Sequence, residues 1–454
     1  MTVLWARQAL LADGWRTGVR VEIGTSGTID AVVPDSPPEG QRIAILLPAP
    51  VNLHSHAFQR AAAGMTERRG PDPRDTFWTW RKLMYRFLDH LTPDDIEAIT
   101  GCVQMEMLEA GYAAVAEFHY IHHQPGGTPY ANLAELSCRI AAAAAETGIG
   151  LTLLPVLYRY GGCDRRPLGA GQIRFGCSPE QFVKLLDGAR SSLAELPADC
   201  RIGVAPHSLR AVGPEDLAFA ASLAPDSPLH IHLAEQVAEV EEVRAYLGAR
   251  PAEWLLTNHA VDERWCLIHC TQLLPDETQR LAASGAVVGL CPITESNLGD
   301  GIFDGVNYLG AGGHFGIGSD SNVRIALSEE LRTLEYSQRL RDRGRAMLGT
   351  AEYSTGRALF ERAVGGGAKA AGRRSGAIRP GALGDLLALD GEALDLAGKT
   401  GDEVLDSFVF AGDDRMICDV WSAGRHLVKG GRHIRREDIV GRYRTTMTKL
   451  RARI

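Results

Sequence analysis

Four histidines and one aspartate occur at places in the chain that could hold a metal ion. His54 and His56 lie two residues apart in the apolar run VNLHSH, so on a strand both imidazoles face the same side. His232, His269 and Asp320 end later apolar runs of similar character. Nitrogen and carboxylate ligands of this kind suit a divalent transition ion with a position open for water. An H-x-H pair is a modest signal by itself, because imidazole also hydrogen-bonds without metal.

The apolar runs that carry these residues indicate the scaffold. Between residues 51 and 320, short apolar runs alternate with amphipathic helical sequence; the runs are VNLHSH, AAVAEFHY, LTLLPVLY, RIGVAPHS, LHIHLA, WCLIHC, AVVGLCP and FGIGSD. Buried strands that are each followed by a helix are typical of an α/β fold of the (β/α)₈ barrel type. Active sites of such barrels lie at the carboxyl ends of the strands, where the five candidate residues fall.

Strand patterns also occupy both ends of the chain. Residues 1–48 show the alternation of apolar and polar residues that is typical of strands. After residue 376, the segments DLLALD, SFVF and ICDVWSAGRHLVKGGRH indicate strands again. We predict a small β-sandwich domain from residues 1–48 and 377–434, a barrel over 49–376, and a C-terminal helix over 435–454. The basic residues of that helix fit a solvated face better than a nucleic-acid site.

Composition excludes several classes of protein. The 454 residues include 48 Lys and Arg against 56 Asp and Glu, and the net charge of −8 is the wrong sign for a general nucleic-acid or anionic-membrane binder. The nine cysteines are scattered and form no C-x-x-C pair, which argues against disulfides and thiolate zinc sites. The longest apolar run, IAILLPAPV, is about half a membrane span. We predict a cytoplasmic protein with no membrane or nucleic-acid partner.

A carboxylate near the histidines could move protons. Glu235 follows His232 by three residues, where it could touch both a bound water and a leaving group; the alternative is a helix-start glutamate that interacts with the helix dipole. His207, and not a lysine, ends the fourth strand. Because a carboxylated lysine commonly bridges two ions, its absence favours a single-metal site. The H-x-E and P-C-x-x-C strings of cytidine-type deaminases do not occur.

Longer strings around these residues resemble a known family. They resemble the metal-dependent amidohydrolase superfamily, in its single-metal deaminase branch, over residues 52–321: HSHAFQR, FWTWR, EFHYIHH, LLPVLY, APHSLRAV, HIHLAEQ, CPITESNLGDGIF and GIGSDS. SEELRTLEYSQRLRDR extends the match to about residue 343. Within that branch they are similar to the enzymes of bacterial histidine degradation that convert N-formimino-L-glutamate to N-formyl-L-glutamate and ammonia. PAPVN departs from the PGFVN-like turn expected before the first ligands, which leaves those ligands untouched.

The resemblance implies a role for each matched residue. It implies that one divalent ion, zinc, is held by His54, His56, His232 and Asp320. It implies that catalysis uses Glu235 and His269 as proton carriers beside the ligand Asp320. It further implies that the dicarboxylate substrate is bound by Gln59, Arg81, Tyr120, His207 and Arg210, and that the protein is a homodimer. Guanidinium groups bind carboxylates bidentately, although an arginine more often forms a surface or interface ion pair.

Other functions stay open from the sequence alone. The same metal centre would serve an aminohydrolase of a heterocycle such as guanine, a related aminopurine or a pterin, although two arginines suit two carboxylates better than a neutral ring. A catalytically silent barrel that serves as a binding scaffold is a third reading. Zinc and ferrous iron both accept this ligand set. The glycine- and arginine-rich segment 161–177 could act as a closing lid or as an ordinary exposed loop.

Overall fold

The N-terminal segment forms part of a β-sheet. A computed structural model describes residues 1–67 and 84–453. The first strands are β1 (Thr2–Leu11), β2 (Gly14–Ile23), β3 (Ile29–Val33) and β4 (Gln41–Pro48). β1 pairs antiparallel with β2 and parallel with β4. Alternating residues of β2 are buried, as the period-two pattern of the sequence predicts.

The central part of the chain is a parallel barrel. Its strands are β5 (Val51–Ser55), β6 (Ala114–His119), β7 (Gly150–Leu157), β8 (Arg201–Ile202), β9 (Ala205–Pro206), β10 (Leu229–Leu233), β11 (Trp265–His269), β12 (Val287–Leu290) and β13 (His314–Ile317). They coincide with the eight predicted apolar runs, and the fourth run is divided between β8 and β9. Every residue of β5, β6, β7, β10, β11 and β12 is buried, which is why these runs are rich in apolar residues.

Helices follow the barrel strands. They are α1 (Pro93–Glu109), α2 (Glu135–Thr147), α3 (Pro179–Ser192), α4 (Pro214–Leu223), α5 (Val237–Leu247), α6 (Pro251–Asn258), α7 (Pro275–Ala283), α8 (Pro292–Leu298), α9 (Gly305–Gly310), α10 (Leu327–Asp342) and α11 (Thr355–Ala370). Thr92 caps α1 by accepting a hydrogen bond from the Asp95 amide. Gly248, in the left-handed conformation, ends α5. Within the described residues, no helix has both the length and the apolar character that crossing a bilayer requires.

The chain returns to the first sheet at its C-terminal end. The remaining elements are β14 (Leu386–Leu389), α12 (Asp402–Phe410), β15 (Ile417–Ser422), β16 (Arg425–Lys429), β17 (Arg432–His433) and α13 (Arg436–Arg451). β14 pairs antiparallel with β4, which gives one sheet in the order β17-β16-β15-β14-β4-β1-β2-β3. An α/β barrel with a β domain built from both chain ends is thereby confirmed, while the numerical domain limits stay a prediction.

One strand prediction was wrong. SFVF, residues 407–410, forms the last turn of α12. Val404, Leu405 and Phe408 are buried at helical spacing, and Asp402 and Glu403 lie in the first turn, where acidic residues favour the helix dipole. SFVF by itself looked like a short strand, because the residues that show the helical spacing lie before it in the sequence.

The barrel closes beside the first predicted metal ligands. The Asp320 amide donates to the His54 carbonyl at 3.0 Å, and the His56 amide donates to the Asp320 carbonyl at 2.9 Å. Gly318 permits this close approach, since a Cβ there would lie 2.7 Å from the His54 carbonyl oxygen. At the other seam, the His232 amide donates to the His207 carbonyl at 3.0 Å. Barrel closure therefore brings the candidate residues to one place.

Candidate active site

Four side chains converge at the carboxyl ends of the strands, and we call them the ligand cluster: His54, His56, His232 and Asp320. The Nε2 atoms of His54 and His232 lie 3.2 Å apart. Oδ1 of Asp320 lies 3.5 Å from Nε2 of His54 and 3.3 Å from Nε2 of His56. All four residues are at most 5% exposed. Three nitrogens and one carboxylate thus face a common point inside the barrel mouth.

Hydrogen bonds behind the rings fix which nitrogens face that point. Nδ1 of His56 contacts the Phe118 carbonyl at 2.8 Å, and Nδ1 of His232 contacts the His207 carbonyl at 3.0 Å. Because a carbonyl oxygen only accepts, each Nδ1 must donate, and each Nε2 keeps its lone pair. The Nε2 acceptor of His56 faces Oδ1 of Asp320 at 3.3 Å, and two facing acceptors are unfavourable unless a cation lies between them. The ligand cluster therefore fits a divalent metal ion.

Electrostatics favour the protonation states that a metal needs. Burial lowers the pKa of His54 to about 3 and also lowers the pKa values of His56 and His232, so these imidazoles are neutral. Burial alone would raise the pKa of Asp320, but its hydrogen bond to His54 and the neighbouring imidazoles hold that pKa well below its usual range. Neutral nitrogens beside an ionised carboxylate are the metal-binding forms of these groups.

Glu235 and His269 form a second group next to the ligand cluster, and we call them the proton-transfer pair. Nε2 of His269 lies 3.9 Å from Oε1 of Glu235 and 3.9 Å from Oδ2 of Asp320. Burial raises the pKa of Glu235. Burial would lower the pKa of His269, but the carboxylates of Glu235, Glu295 and Asp320 outweigh it and raise that pKa to about 10. A buried carboxyl with a raised pKa beside a histidine suits general acid–base chemistry.

Two carboxylates that the sequence analysis missed hold this pair in place. Glu295 lies 3.2 Å from Nδ1 of His269 and accepts a hydrogen bond from the Cys291 amide at 2.8 Å. Glu239, on the first turn of α5, accepts from the Glu235 amide at 2.9 Å. Glu239 lies one helical turn after Glu235, and Glu295 lies within the string CPITESNLGDGIF. Their closeness to the candidate residues and to the matched string could have drawn attention to them. In the sequence, however, both glutamates resemble ordinary helix-start residues.

The backbone is unusual at two of the functional residues. His269 has a φ of 72° and Asp320 a φ of 44°, and both values lie in the left-handed region that favours glycine. Such conformations cost of order 1–3 kcal/mol each and persist where the surrounding structure enforces them. Here His269 ends β11, and Asp320 follows β13 after Gly318 and Ser319; the two side chains meet at the barrel mouth.

One cavity joins the ligand cluster to the predicted substrate-binding residues. Gln59, Tyr120, His207 and Arg210 line it together with the proton-transfer pair. Nε2 of Gln59 donates to the Tyr120 hydroxyl at 2.8 Å, and Nη2 of Arg210 lies 4.0 Å from Oε2 of Glu235. Apolar lining residues that the sequence did not single out are Met84, Phe175 and Leu298. Arg81, predicted to bind substrate, lies outside the described residues.

Segment 161–177 is held at several points. The Cys163 amide donates to Glu242 at 3.0 Å, and Nε2 of Gln172 donates to the Tyr158 hydroxyl at 2.8 Å. The Cys177 amide donates to the Tyr158 carbonyl at 3.0 Å. That the segment closes as a lid stays a prediction.

A parallel barrel whose strand ends gather three imidazoles, a carboxylate and an acid–base pair defines the class of metal-dependent hydrolases. Comparison with known proteins narrows that class. The chain belongs to the amidohydrolase family, whose model matches residues 45–427. Residues 1–41 match a further model, described as the N-terminal domain of formimidoylglutamate deiminase HutF. The resemblance to this superfamily is confirmed.

Individual relatives cover nearly all of the chain. A formimidoylglutamate deiminase from Pseudomonas aeruginosa is 48% identical over 437 residues, which are 95% of this chain and 96% of that protein. An 8-oxoguanine deaminase from the same organism is 27% identical over 409 residues, 85% of this chain and 84% of that protein. Among solved structures, an amidohydrolase from Brucella melitensis has a TM-score of 0.95 and 47% identity, and the match covers 99% of this chain and 100% of that chain.

Proposed function

We propose that this chain hydrolyses N-formimino-L-glutamate to N-formyl-L-glutamate and ammonia. The observation that carries the proposal is the 48% identity to the Pseudomonas aeruginosa formimidoylglutamate deiminase over 95% of the chain. The cavity described above supports it, because Arg210 supplies a cation for a carboxylate beside the proton-transfer pair.

In this proposal the ligand cluster holds one divalent ion, zinc. Its three imidazole nitrogens and one carboxylate oxygen are common zinc ligands and leave a position for water. Such an ion lowers the pKa of water from 15.7 to about 7 and so makes a nucleophile available at neutral pH.

Glu235 carries both protons in the proposed reaction. It accepts one proton from water while the carbon–oxygen bond forms at the formimino carbon, and it passes that proton to the imino nitrogen. The second proton of the water follows the same route, the carbon–nitrogen bond breaks, and ammonia leaves as the formyl carbonyl forms. His269, at 3.9 Å from both Glu235 and Asp320, stabilises the oxygen that the carbon gains.

The remaining polar lining suits the two carboxylates of the substrate. Arg210 offers a planar guanidinium, and Gln59, Tyr120 and His207 offer further hydrogen-bonding groups around the same cavity. Arg81 is proposed as the partner of the second carboxylate on the basis of the sequence resemblance.

Product analysis tests the proposal against its main competitor. The purified protein is incubated separately with N-formimino-L-glutamate, guanine and 8-oxoguanine, and ammonia and formamide are measured. Ammonia from formiminoglutamate alone supports the deiminase. Release of formamide would indicate hydrolysis of the other carbon–nitrogen bond, and turnover of a purine alone would favour the heterocycle aminohydrolase, a class to which a 27% identical relative belongs by name.

We also propose that the enzyme is a homodimer in the cytoplasm. Light scattering during size-exclusion chromatography tests the dimer, and a mass of about 49.1 kDa would contradict it. Metal analysis of protein purified without chelators tests for one zinc per chain, and a silent scaffold would carry no stoichiometric metal.

A further inference from the structure

Arg174 is a buried arginine that belongs neither to the ligand cluster nor to the proton-transfer pair. Its exposed fraction is 2%. Nε donates to the His123 carbonyl at 2.8 Å, Nη2 donates to the Leu91 carbonyl at 3.1 Å, and Nη1 donates to the Leu88 carbonyl. The backbone carbonyl of Arg174 in turn accepts from the His122 and His123 amides at 2.8 and 3.0 Å. One side chain therefore ties together three separate stretches of chain.

Each of those stretches sends one side chain into the substrate cavity, and we call these three the cavity wall: Met84, Tyr120 and Phe175. The ring centroids of Tyr120 and Phe175 lie 4.8 Å apart with an interplanar angle of 89°. The Tyr120 hydroxyl contacts Sδ of Met84 at 3.8 Å. The wall is thus one packed unit whose three backbone supports meet at Arg174.

We propose that Arg174 is a positioning residue, which holds the cavity wall at the place where the substrate packs between it and the ligand cluster. This inference rests on the proposed function, because it assigns the cavity to formiminoglutamate. Arg174 itself does not line that cavity among the described residues. It acts through the segments that do.

A guanidinium suits this role better than other side chains. Its donors project from a planar group in fixed directions, so it can reach carbonyls of several segments at once. A lysine has one nitrogen and cannot match those directions. Burial lowers the pKa of Arg174, and burying a cation is costly. An apolar residue of similar volume would avoid that cost but would remove a donor from three carbonyls, of which that of Leu88 keeps a hydrogen bond from the Leu91 amide at 3.3 Å.

The test compares Arg174→Lys and Arg174→Met with Arg373→Lys. Arg373 is a matched control, since it is also buried and also donates to a backbone carbonyl, that of Asp199, but far from the cavity. For both Arg174 variants we expect kcat/KM for formiminoglutamate to fall about 10–100-fold, as remote misplacement of a site can do. Most of the loss should be in KM, with Lys milder than Met, and the metal content should not change.

Hydrogen exchange gives a readout that needs no substrate. Amides in residues 84–91 and 120–124 should exchange about tenfold faster in Arg174→Lys, the factor expected for the loss of roughly one hydrogen bond. Unchanged exchange in those segments overturns the proposal, and so does an equal rise of KM in Arg373→Lys. If the wild type releases no ammonia from formiminoglutamate, the proposed function fails, while the exchange measurement still decides whether Arg174 holds the wall.

Discussion

The barrel buries charged groups at both of its ends. At one end each charge is paired with an opposite charge of the protein, and at the other end this pairing is incomplete. Where the strands begin, Arg373 donates to both carboxylate oxygens of Asp385 at 2.6 and 2.8 Å and contacts Asp199 at 2.8 Å. It lies against the start of β7, since a Cβ on Gly150 would lie 2.5 Å from its Nη1. Every charge in this ion network faces an opposite charge. The network therefore joins the barrel to the returning β domain without any ligand.

The ligand cluster at the opposite end has no such internal complement. Its imidazoles are neutral, its carboxylate is ionised, and the Nε2 acceptor of His56 faces Oδ1 of Asp320 at 3.3 Å. Two buried acceptors that face each other are unfavourable by themselves and become favourable when a cation lies between them. The difference teaches that buried charges which are all paired within the protein indicate a structural contact. Buried acceptors without enough partners indicate a binding site.

Removal of the metal should have the largest effect. Dialysis against a chelator is expected to reduce turnover to background and to lower the free energy of unfolding, by about 4 kcal/mol if the ion was present at a thousand times its Kd. Elemental analysis, ammonia release and thermal unfolding measure these changes, and added Zn²⁺ or Fe²⁺ should restore both properties. Full turnover by protein without stoichiometric metal would contradict the assignment of the ligand cluster.

Glu235→Gln should separate proton transfer from metal binding. We expect turnover to fall about 10²–10⁴-fold, the usual contribution of a general acid–base group, while the metal content stays that of the wild type. Glu241→Gln, at an exposed position of α5, is the matched control and should retain wild-type activity. Wild-type turnover in the Glu235 variant would remove it as the proton carrier.

Arg373→Met should damage stability and spare chemistry. Removing the cation leaves the buried Asp385 without its guanidinium partner, while Asp199 keeps its ion pair with Arg425, so the free energy of unfolding should fall by about 3–5 kcal/mol in denaturant titrations. Turnover per folded molecule at low temperature should remain that of the wild type. Arg374→Met, at the exposed neighbouring position, controls for the substitution itself. Equal stability of the two variants would show that the network is not a structural contact.

Arg210→Ala should have the smallest effect of the four. Loss of a charge-assisted hydrogen bond costs about 1.5–3 kcal/mol, so we expect KM for formiminoglutamate to rise roughly 10–100-fold with a smaller change in kcat. Steady-state kinetics measure both constants, and Arg244→Ala at an exposed position of α5 is the control. An unchanged KM would discard the role of Arg210 in carboxylate binding.

The sequence was sufficient to predict the barrel strands and the residues at their ends. His54 and His56 share a face because strand periodicity is two, and Asp320 joins them because parallel strands end on one side of a barrel. Strand periodicity acts over a few residues, and the alternation of strands and helices acts over the whole barrel. Both patterns can be recognised in the amino-acid sequence. The structure therefore places the ligand cluster where the pattern indicated.

Contacts between loops were beyond the same reasoning. Arg174 lies in an irregular segment, and its partners His123 and Leu91 are distant in sequence, so no periodicity connects them. Glu295 meets His269 only because α8 begins beside the end of β11. SFVF was misassigned for a related reason, since four letters do not distinguish a strand from the end of a helix.

The contact between Ser55 and Asp320 has a consequence for how the enzyme folds during its synthesis. The backbone hydrogen bonds that close the barrel there join the first and last of its strands and also align the first and last residues of the ligand cluster. A ribosome must finish nearly the whole barrel before those donors can meet. Metal uptake is thereby linked to completed folding, and a truncated or half-made chain lacks the means to sequester the ion.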